Sequence, residues 1–328
     1  MNLMLLALIG GALLYVFRLN VVQSPQVLSE KGLRGDVFEA IDATTVHYPR
    51  LTTRLTSDKA SEKYSFLGTV PAMKAWGTGR LASGLLTETY DVENEKYEIT
   101  IAVPRDWIDD DQTQQIRLRI REMGERAAGH KDQLIESLIN NGASTGFHSY
   151  DGVPFFSDAH VSHLSGSQSN KLTSSASTPA SPTKAEFRVA IGQAIATMIA
   201  YVDDRGEQKR IQPTGLICVV PPAYYLTALE ALALSLNPQA DDELTLNVLR
   251  GVADVICLPG LTGDYFYLCK ENTQVRPFIF QDRMPLEFGA LEQNSETGFM
   301  QETFYYGVRA RYTMTYGYWQ YAIRTEFT

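Results

Sequence analysis

Cysteine is scarce: the 328 residues hold three, Cys218, Cys257 and Cys269. They are scattered, odd in number and set in apolar, strand-like runs, the pattern of buried free thiols in a protein matured in a reducing compartment. One disulfide with a spare thiol is the competing pattern. No CxxC and no Cys/His pair exists, which puts metal binding behind both. Basic charge is short as well. Twenty-nine Lys and Arg stand against 38 Asp and Glu, a net charge of -9. Tight, sequence-independent binding of nucleic acid needs the opposite balance, because phosphates are neutralised by a concentrated basic surface.

Motifs for chemistry are missing too. There is no GxSxG, and none of the three cysteines has a histidine nearby in sequence. The glycine-rich stretch GTGRLASG (residues 77–84) lacks the Lys-Ser/Thr ending and the strand-to-helix setting of a phosphate loop, so it reads as a bent arm. No repeat of about 20–50 residues is visible, which excludes a solenoid or propeller. No apolar run reaches the roughly 20 residues of a membrane span. The longest, residues 1–17 (MNLMLLALIGGALLYVF), carries no charge, is followed by Arg18 and has no basic region before it. Three readings stay open for it: a membrane anchor, a hydrophobic arm that packs on a neighbouring subunit, or a translation start placed too far upstream.

What is present is a globular composition, 44% hydrophobic with 17 Tyr and 14 Phe. Residues 23–60 read as an extended arm with one small helix near residues 33–41. Residues 66–105 hold a strand-like start, a turn-rich excursion around Trp76, Gly77 and Gly79, and an alternating strand with Tyr97, Ile99, Ile101 and Val103 on one face. Pro104 ends that strand. Four carboxylates, Asp106, Asp109, Asp110 and Asp111, then precede a long helix over about residues 112–140, where negative charge suits a helix N-terminus. Ile116, Ile120, Met123, Ala127, Leu134 and Leu138 give it one apolar stripe on a charged rod. Gly124 and Gly129 weaken it by about 1 kcal/mol each, and Asn141 with Gly142 supplies the stop.

The segment GFHSYDGVPFFSDAH (residues 146–160) reads as a compact aromatic hairpin. Residues 162–182 are Ser, Thr, Gly and Asn, a linker and the best internal boundary. A helix follows over 183–202 with Phe187, Ile191, Ile195, Met198 and Val202 on one side. Next come a buried strand over 214–220, a helix from Pro221 carrying Leu226, Leu229 and Leu232, and strands over 254–258 and 265–269. From residue 275 onward the signal is nearly all strand, with Phe304, Tyr306, Val308, Ala310, Tyr312, Met314 and Tyr316 on one face. An extended hairpin feeding a long amphipathic helix, with no chemistry on either, is built to touch neighbours.

Each chemical candidate has a plainer reading beside it. Consecutive aspartates such as Asp109 to Asp111 seldom converge on one cation, so helix-start electrostatics is favoured. His148, His160 and His163 with Asp151 and Asp158 form the one His/carboxylate cluster, and turn-setting hydrogen bonds around Phe155 and Phe156 are favoured there over a metal or acid/base site. Tyr305, Tyr306, Tyr312, Tyr316, Tyr318, Trp319 and Tyr321 could stack bases, but the acidic balance favours sheet packing. No catalytic, cofactor or metal residue is assigned.

The stretches FLGTVPAMKAW, VPRDWIDDD, REMGERAAGHKDQLIESLINNG, YDGVPFFSDAH and VRPFIFQDR closely resemble, in the same order, the major head subunit of Mu-like phages and prophages. The resemblance runs from about Val27 to the C-terminus and is weakest in the Ser/Thr linker, while residues 1–20 have no counterpart in it. It implies an α+β, HK97-like capsid fold with an N-terminal arm, an extended two-stranded loop, a long spine helix, and peripheral and axial domains. The implied boundaries are 1–61 for the arm with its hydrophobic extension 1–17, 62–105 for the loop, 106–182 and 290–328 for the peripheral domain with spine helix 112–141, and 183–289 for the axial domain. The hairpin is then expected to extend the peripheral sheet.

The resemblance further implies a non-enzymatic protein that self-associates into hexamers and pentamers around double-stranded DNA. The DNA is enclosed without sequence-specific binding, which an acidic wall suits. Scaffold, maturation protease and portal would be partners, the virion the location and the host bacterial cytoplasm the place of assembly. Candidate inter-subunit contacts are Trp76, Arg80 and Leu85 in the loop and Ile116, Ile120 and Met123 on the helix. Related shells can crosslink a loop Lys to an Asn. Lys63, Lys74 and Lys96 lie in the loop, but no Asn and Glu partners can be assigned. Two rivals remain: an encapsulin-like compartment that stores an enzyme, and a membrane-anchored binding or hydrolytic protein using residues 1–17 and the His cluster.

Overall fold

The structure, a computed structural model, describes residues 30–59, 61–67, 87–110, 113–232, 236–238, 244–271, 273–292 and 295–328. The described chain starts on helix α1 (Glu30–Ala43), makes one turn, α2 (Tyr48–Leu51), and continues into β1 (Thr52–Thr56). Among the described residues, strands β2 (Ser61–Leu67) and β3 (Thr87–Glu93) pair only with each other, Tyr64 opposite Tyr90. Strand β4 (Glu95–Pro104) follows, then the short helix α3 (Arg105–Asp109) and the long helix α4 (Thr113–Asn141). Asp106 and Asp109 thus belong to α3, the first turn of α4 has no acidic residue, and Asp111 lies outside the described residues.

The stripe on α4 is real but drifts. Ile116, Ile120, Met123 and Ala127 are buried as expected, whereas farther along Ile135 and Ile139 are the buried pair and Leu134 and Leu138 only pack beside them. A helix of 3.6 residues per turn rotates its apolar line by about 20° per heptad away from a strict seven-residue repeat, and over the length of α4 this drift brings neighbouring positions onto the buried face. Gly124 turns out to be a contact, not merely a weak point: a Cβ there would fall 2.7 Å from the Val37 carbonyl oxygen on α1. Gly142 is not in the left-handed region. It follows the last residue of α4 where the Phe156 ring would lie 2.8 Å from any Cβ, which leaves room for glycine alone.

The stretch after α4 does not extend a sheet. One isolated bridge, His148 to Pro154, folds it back, and it drives Phe155 and Phe156 into the core against Phe278, Tyr316 and Tyr267. The supposed linker is partly structured: β5 (His160–Val161) pairs with β6 (Ser167–Gln168), and β7 (Lys171–Ser174) joins a sheet. Buried Asn170 explains why so polar a stretch is ordered. Its amide donates to the Phe155 carbonyl at 2.8 Å and the Ala322 carbonyl at 3.2 Å, and its oxygen accepts the Ser157 N–H at 2.9 Å.

Helix α5 (Lys184–Ala200) begins on a capping box in which Thr183 and Glu186 satisfy each other's backbone N–H. Strand β8 (Leu216–Val220) is wholly buried, and α6 (Tyr225–Leu232) follows a single 3₁₀ turn. On α6 Ala228, Ala231 and Leu232 are buried, whereas Leu226, expected on the apolar face, is exposed. The remaining elements are β9 (Leu236–Pro238), β10 (Leu244–Leu246), β11 (Ala253–Cys257), β12 (Tyr265–Lys270), β13 (Phe278–Leu291), α7 (Glu296–Gln301), β14 (Thr303–Tyr316) and β15 (Ala322–Phe327).

Two larger sheets organise the body. One has the order β1-β13-β14-β4, with β1 parallel to β13 and the rest antiparallel; the other has the order β11-β8-β12-β15-β7. Both cross the expected boundaries at 183 and 290: β13 spans one of them, and β7 and β15 join the sheet of the middle region. The reason is parallel pairing, which brings chain ends together that are far apart in sequence, as Arg324 to Lys171. One core lies between α5, α6, the five-stranded sheet and the second half of α4. A second lies between α1, the first half of α4 and the inner face of β4 and β14. Each fully buried Leu, Ile or Phe in these contributes about 1.5–3 kcal/mol.

Candidate functional site

Ile116, Ile120 and Met123 do not form an exposed contact stripe. They are 5%, 0% and 2% exposed, held by Leu33, Val37, Phe304 and Tyr306 of the same chain. Helix α1 reaches them first, so the expectation that this face waits for a neighbour is corrected: it is subunit core. Trp76, Arg80 and Leu85 lie outside the described residues.

The base of the loop is described, and it is anchored. The Tyr64 hydroxyl on β2 donates to Gln281 Oε1 at 2.6 Å, and Gln281 Nε2 donates to Asn94 Oδ1 at 2.8 Å. Gln281 is fully buried on β13, so one side chain ties both sides of the loop's root to the four-stranded sheet. Burial pushes the Tyr64 hydroxyl up to about 12, which keeps it a donor at neutral pH. Among the described residues, β2 and β3 have no strand partner but each other, so the ribbon belongs to neither larger sheet.

The His/carboxylate cluster comes apart. His160 and Asp151 meet, Nδ1 to Oδ2 at 2.6 Å, both buried, while His148, His163 and Asp158 are not among the partners of either. The other ring nitrogen of His160 lies 3.1 Å from Asn170 Oδ1, and Trp319 stacks on the imidazole at 4.1 Å. A pair sealed under an indole has no room for a substrate; its hydrogen bonds stay within residues 151–170, and Asn170, which donates to the Ala322 carbonyl, ties that segment to the C-terminal residues. Among the described residues no group of three or more His, Cys, Asp or Glu side chains is arranged to hold a metal ion. The three cysteines are free thiols. Burial pushes Cys269 up to about 12 and raises Cys218 and Cys257 as well, which is the reverse of what a nucleophile needs.

What remains for function is surface. Phe299 and Met300 on α7 are 82% and 72% exposed, and Leu291 at the end of β13 is exposed as well. Val189, Ile199 and Leu226 are exposed on α5 and α6. Sequence reasoning missed both sets of exposed residues. The signal for the first was the pair Phe299-Met300 beside Gly298, which breaks strand alternation; for the second it was α5, whose residues 189–200 carry no charge at all. Exposed large apolar side chains, with a ribbon outside both larger sheets, suit binding to large partners.

The comparisons with known proteins agree with that reading. The family model "Mu-like prophage major head subunit gpT" matches residues 28–187 and 259–328, most of the chain. Among curated proteins, the "Mu-like prophage FluMu major head subunit" of Haemophilus influenzae is 24% identical over 277 residues, covering 84% of this chain and 64% of that protein. The "Major capsid protein" of Escherichia phage Mu is 28% identical over 127 residues, 39% of this chain and 41% of that one. The chain therefore spans less than two thirds of the curated relatives it matches. Among solved structures, a chain of the bacteriophage JBD30 procapsid superposes with a TM-score of 0.53 at 20% identity, covering 90% of this chain and 73% of that chain.

Proposed function

This chain belongs to the Mu-like prophage major head subunit family and has the HK97-like capsid fold, and we propose on that footing that it self-assembles into the icosahedral head shell that encloses phage double-stranded DNA. The observation that carries this is the two-stranded ribbon of β2 and β3, rooted at Gln281 and, among the described residues, joined to neither larger sheet. A subunit that closes on itself has no use for such a ribbon; a subunit that overlaps a neighbour does.

In this reading residues 62–105 form the extended loop, and Trp76, Arg80 and Leu85 are its contact residues. The peripheral domain takes 106–182 with 290–328 and the axial domain 183–289, except that β7 and β15 pair into the axial domain's five-stranded sheet and β13 runs across the boundary at 290. Hexamers and pentamers are built from many modest interfaces, whose apolar burial at about 25 cal/mol per Å2 must exceed the ordering of the arms. Enclosed DNA meets an acidic chain and is not gripped by it. Scaffold, maturation protease and portal act at assembly in the host bacterial cytoplasm, and the finished protein resides in the virion. Sedimentation velocity over a range of protein concentrations tests the association itself. Rings or shells that grow with concentration support it, and a monomer at the highest concentration reached overturns it.

A further inference from the structure

Two cations stand directly opposite each other on the outer face of the four-stranded sheet. Lys96 on β4 is the register partner of Arg311 on β14, and a bulge in β13 sets Arg283 and Met284 together against Arg311. Like charges placed so disfavour the strand pair that carries them. Among the described residues no carboxylate lies within ion-pair distance of Lys96, Arg283 or Arg311, and Arg311 Nε and Arg283 Nη1 are buried without an acceptor. Of the carboxylates flanking them on β4 and β13, Glu95 accepts the Tyr97 hydroxyl, Asp282 holds Arg54 at 2.6 Å and Glu287 holds Arg309 at 2.9 Å. That leaves Glu98, two residues along β4, against three cations.

Two rows farther along, the same face dips. Gly289, Gly307 and Thr100 line up across β13, β14 and β4, and the hollow over them measures about 410 Å3, with Leu291 and Tyr305 on its far side and Glu98 and Arg309 on its near side. Glycines side by side in strand interiors mark a place where another chain can approach closely. The complement to both features is on the chain itself. Asp106 and Asp110 are exposed on either side of exposed Trp107, and residues 105–111 hold four aspartates against one arginine. They cannot reach the cations of their own subunit, because α3 starts where β4 ends, about 27 Å from Lys96 at 3.4 Å per residue. A second copy can supply them. A patch at one end of a sheet with its complement at the other makes a head-to-tail contact, the kind that closes into rings. Packaged DNA fits less well, since phosphate binding needs an unbroken basic surface and Glu98 and Glu287 interrupt this one.

We propose that α3 of one subunit docks on the outer face of the four-stranded sheet of the next, with Asp106 and Asp110 against Lys96, Arg283 and Arg311 and with Trp107 over the glycine hollow. This rests on the reading of the chain as a shell subunit. Lys96→Glu relieves the like-charge pair inside the subunit, so it is expected to raise the urea midpoint of the dilute protein and yet to weaken association; a role confined to the subunit's own stability would not weaken it. Sedimentation velocity on the full chain carries the wider test. Asp106→Arg with Asp110→Arg, and separately Lys96→Glu with Arg311→Glu, are each expected to raise the concentration at half-assembly at least about tenfold. The two altered proteins mixed together, or all four changes in one chain, are expected to recover most of that loss, because the reversed ends fit each other. Unchanged assembly of the altered proteins overturns the docking and leaves the shell reading standing, as does a loss that neither the mixture nor the combined chain recovers. A parent that stays monomeric overturns both. Assembly left intact by Lys96→Glu with Arg311→Glu, alongside lost retention of double-stranded DNA, overturns the docking in favour of a DNA contact.

Discussion

Gly124 of the spine helix lies so close to Val37 that a Cβ added to it would fall 2.7 Å from the Val37 carbonyl oxygen and 3.1 Å from the Ala40 side chain. Backbone carbonyls cannot swing aside, so Gly124→Ala must push α1 and α4 apart. The gain of about 1 kcal/mol in helix propensity is outweighed, and a net loss of about 1–3 kcal/mol is expected. Gly129, five residues on, has nothing within 4 Å of such an atom. Gly129→Ala is expected to stabilise by up to about 1 kcal/mol. Urea midpoints of the two variants should move in opposite directions; movement in the same direction removes the close-contact argument.

The N-terminus of α2 is capped from another element. The Asp132 carboxylate on α4 accepts the backbone N–H of Tyr48 at 2.7 Å and of His47 at 2.8 Å, while His47 makes no side-chain cap of its own. Asp132→Ala leaves two donors without this acceptor and is expected to cost about 1–2 kcal/mol. Asp132→Asn, which keeps an oxygen, should lose less. Equal loss in the two, read from denaturation curves, contradicts the cap.

Tyr64 and Gln281 hold the ribbon at its root, 2.6 Å apart. Tyr64→Phe removes that hydrogen bond at about 1 kcal/mol and leaves the ring in place. Exchange at 61–67 and 87–93 should quicken, with the rest of the chain unchanged. Uniform quickening would mean that the bond stabilises the whole body and not the ribbon.

Much of this scaffold was readable beforehand because it rests on local periodicity. Tyr97, Ile99, Ile101 and Val103 alternate on β4, the residues from Phe304 to Tyr316 alternate on β14, and the first half of α4 keeps its stripe. The parts that were not readable rest on distant partners. Asn170 bonds to the Ala322 carbonyl, 152 positions away, and Gln281 meets Tyr64, 217 positions away. A polar residue in a polar stretch gives no sign of such a partner. The apolar face of α4 was legible too, but not what covers it: Leu33 and Val37 on α1 left no persistent period in the N-terminal arm, so the stripe looked free.

Acid should loosen the start of α5. Glu186 accepts from the Ser177 hydroxyl and from the Thr183 backbone N–H, and these bonds hold its carboxyl down at about 2 against an ordinary 4.5. A folded value below the unfolded one gives a contribution that is complete above about 4.5 and is lost as pH falls toward 2. Glu186→Gln should therefore differ most from the parent near neutrality, with the difference shrinking between about pH 4.5 and 2. Urea midpoints measured across that range check this, and a gap that stays constant with pH contradicts it.

The central claim is that the ribbon of β2 and β3 lies over a neighbouring subunit in a closed shell. Electron cryo-microscopy of particles assembled from the purified chain measures this directly. The account predicts closed particles built of five- and six-subunit rings, with residues 62–105 of each subunit resting on the next. Particles in which that ribbon folds back on its own subunit, or a protein that forms no ring or shell at all, would contradict it.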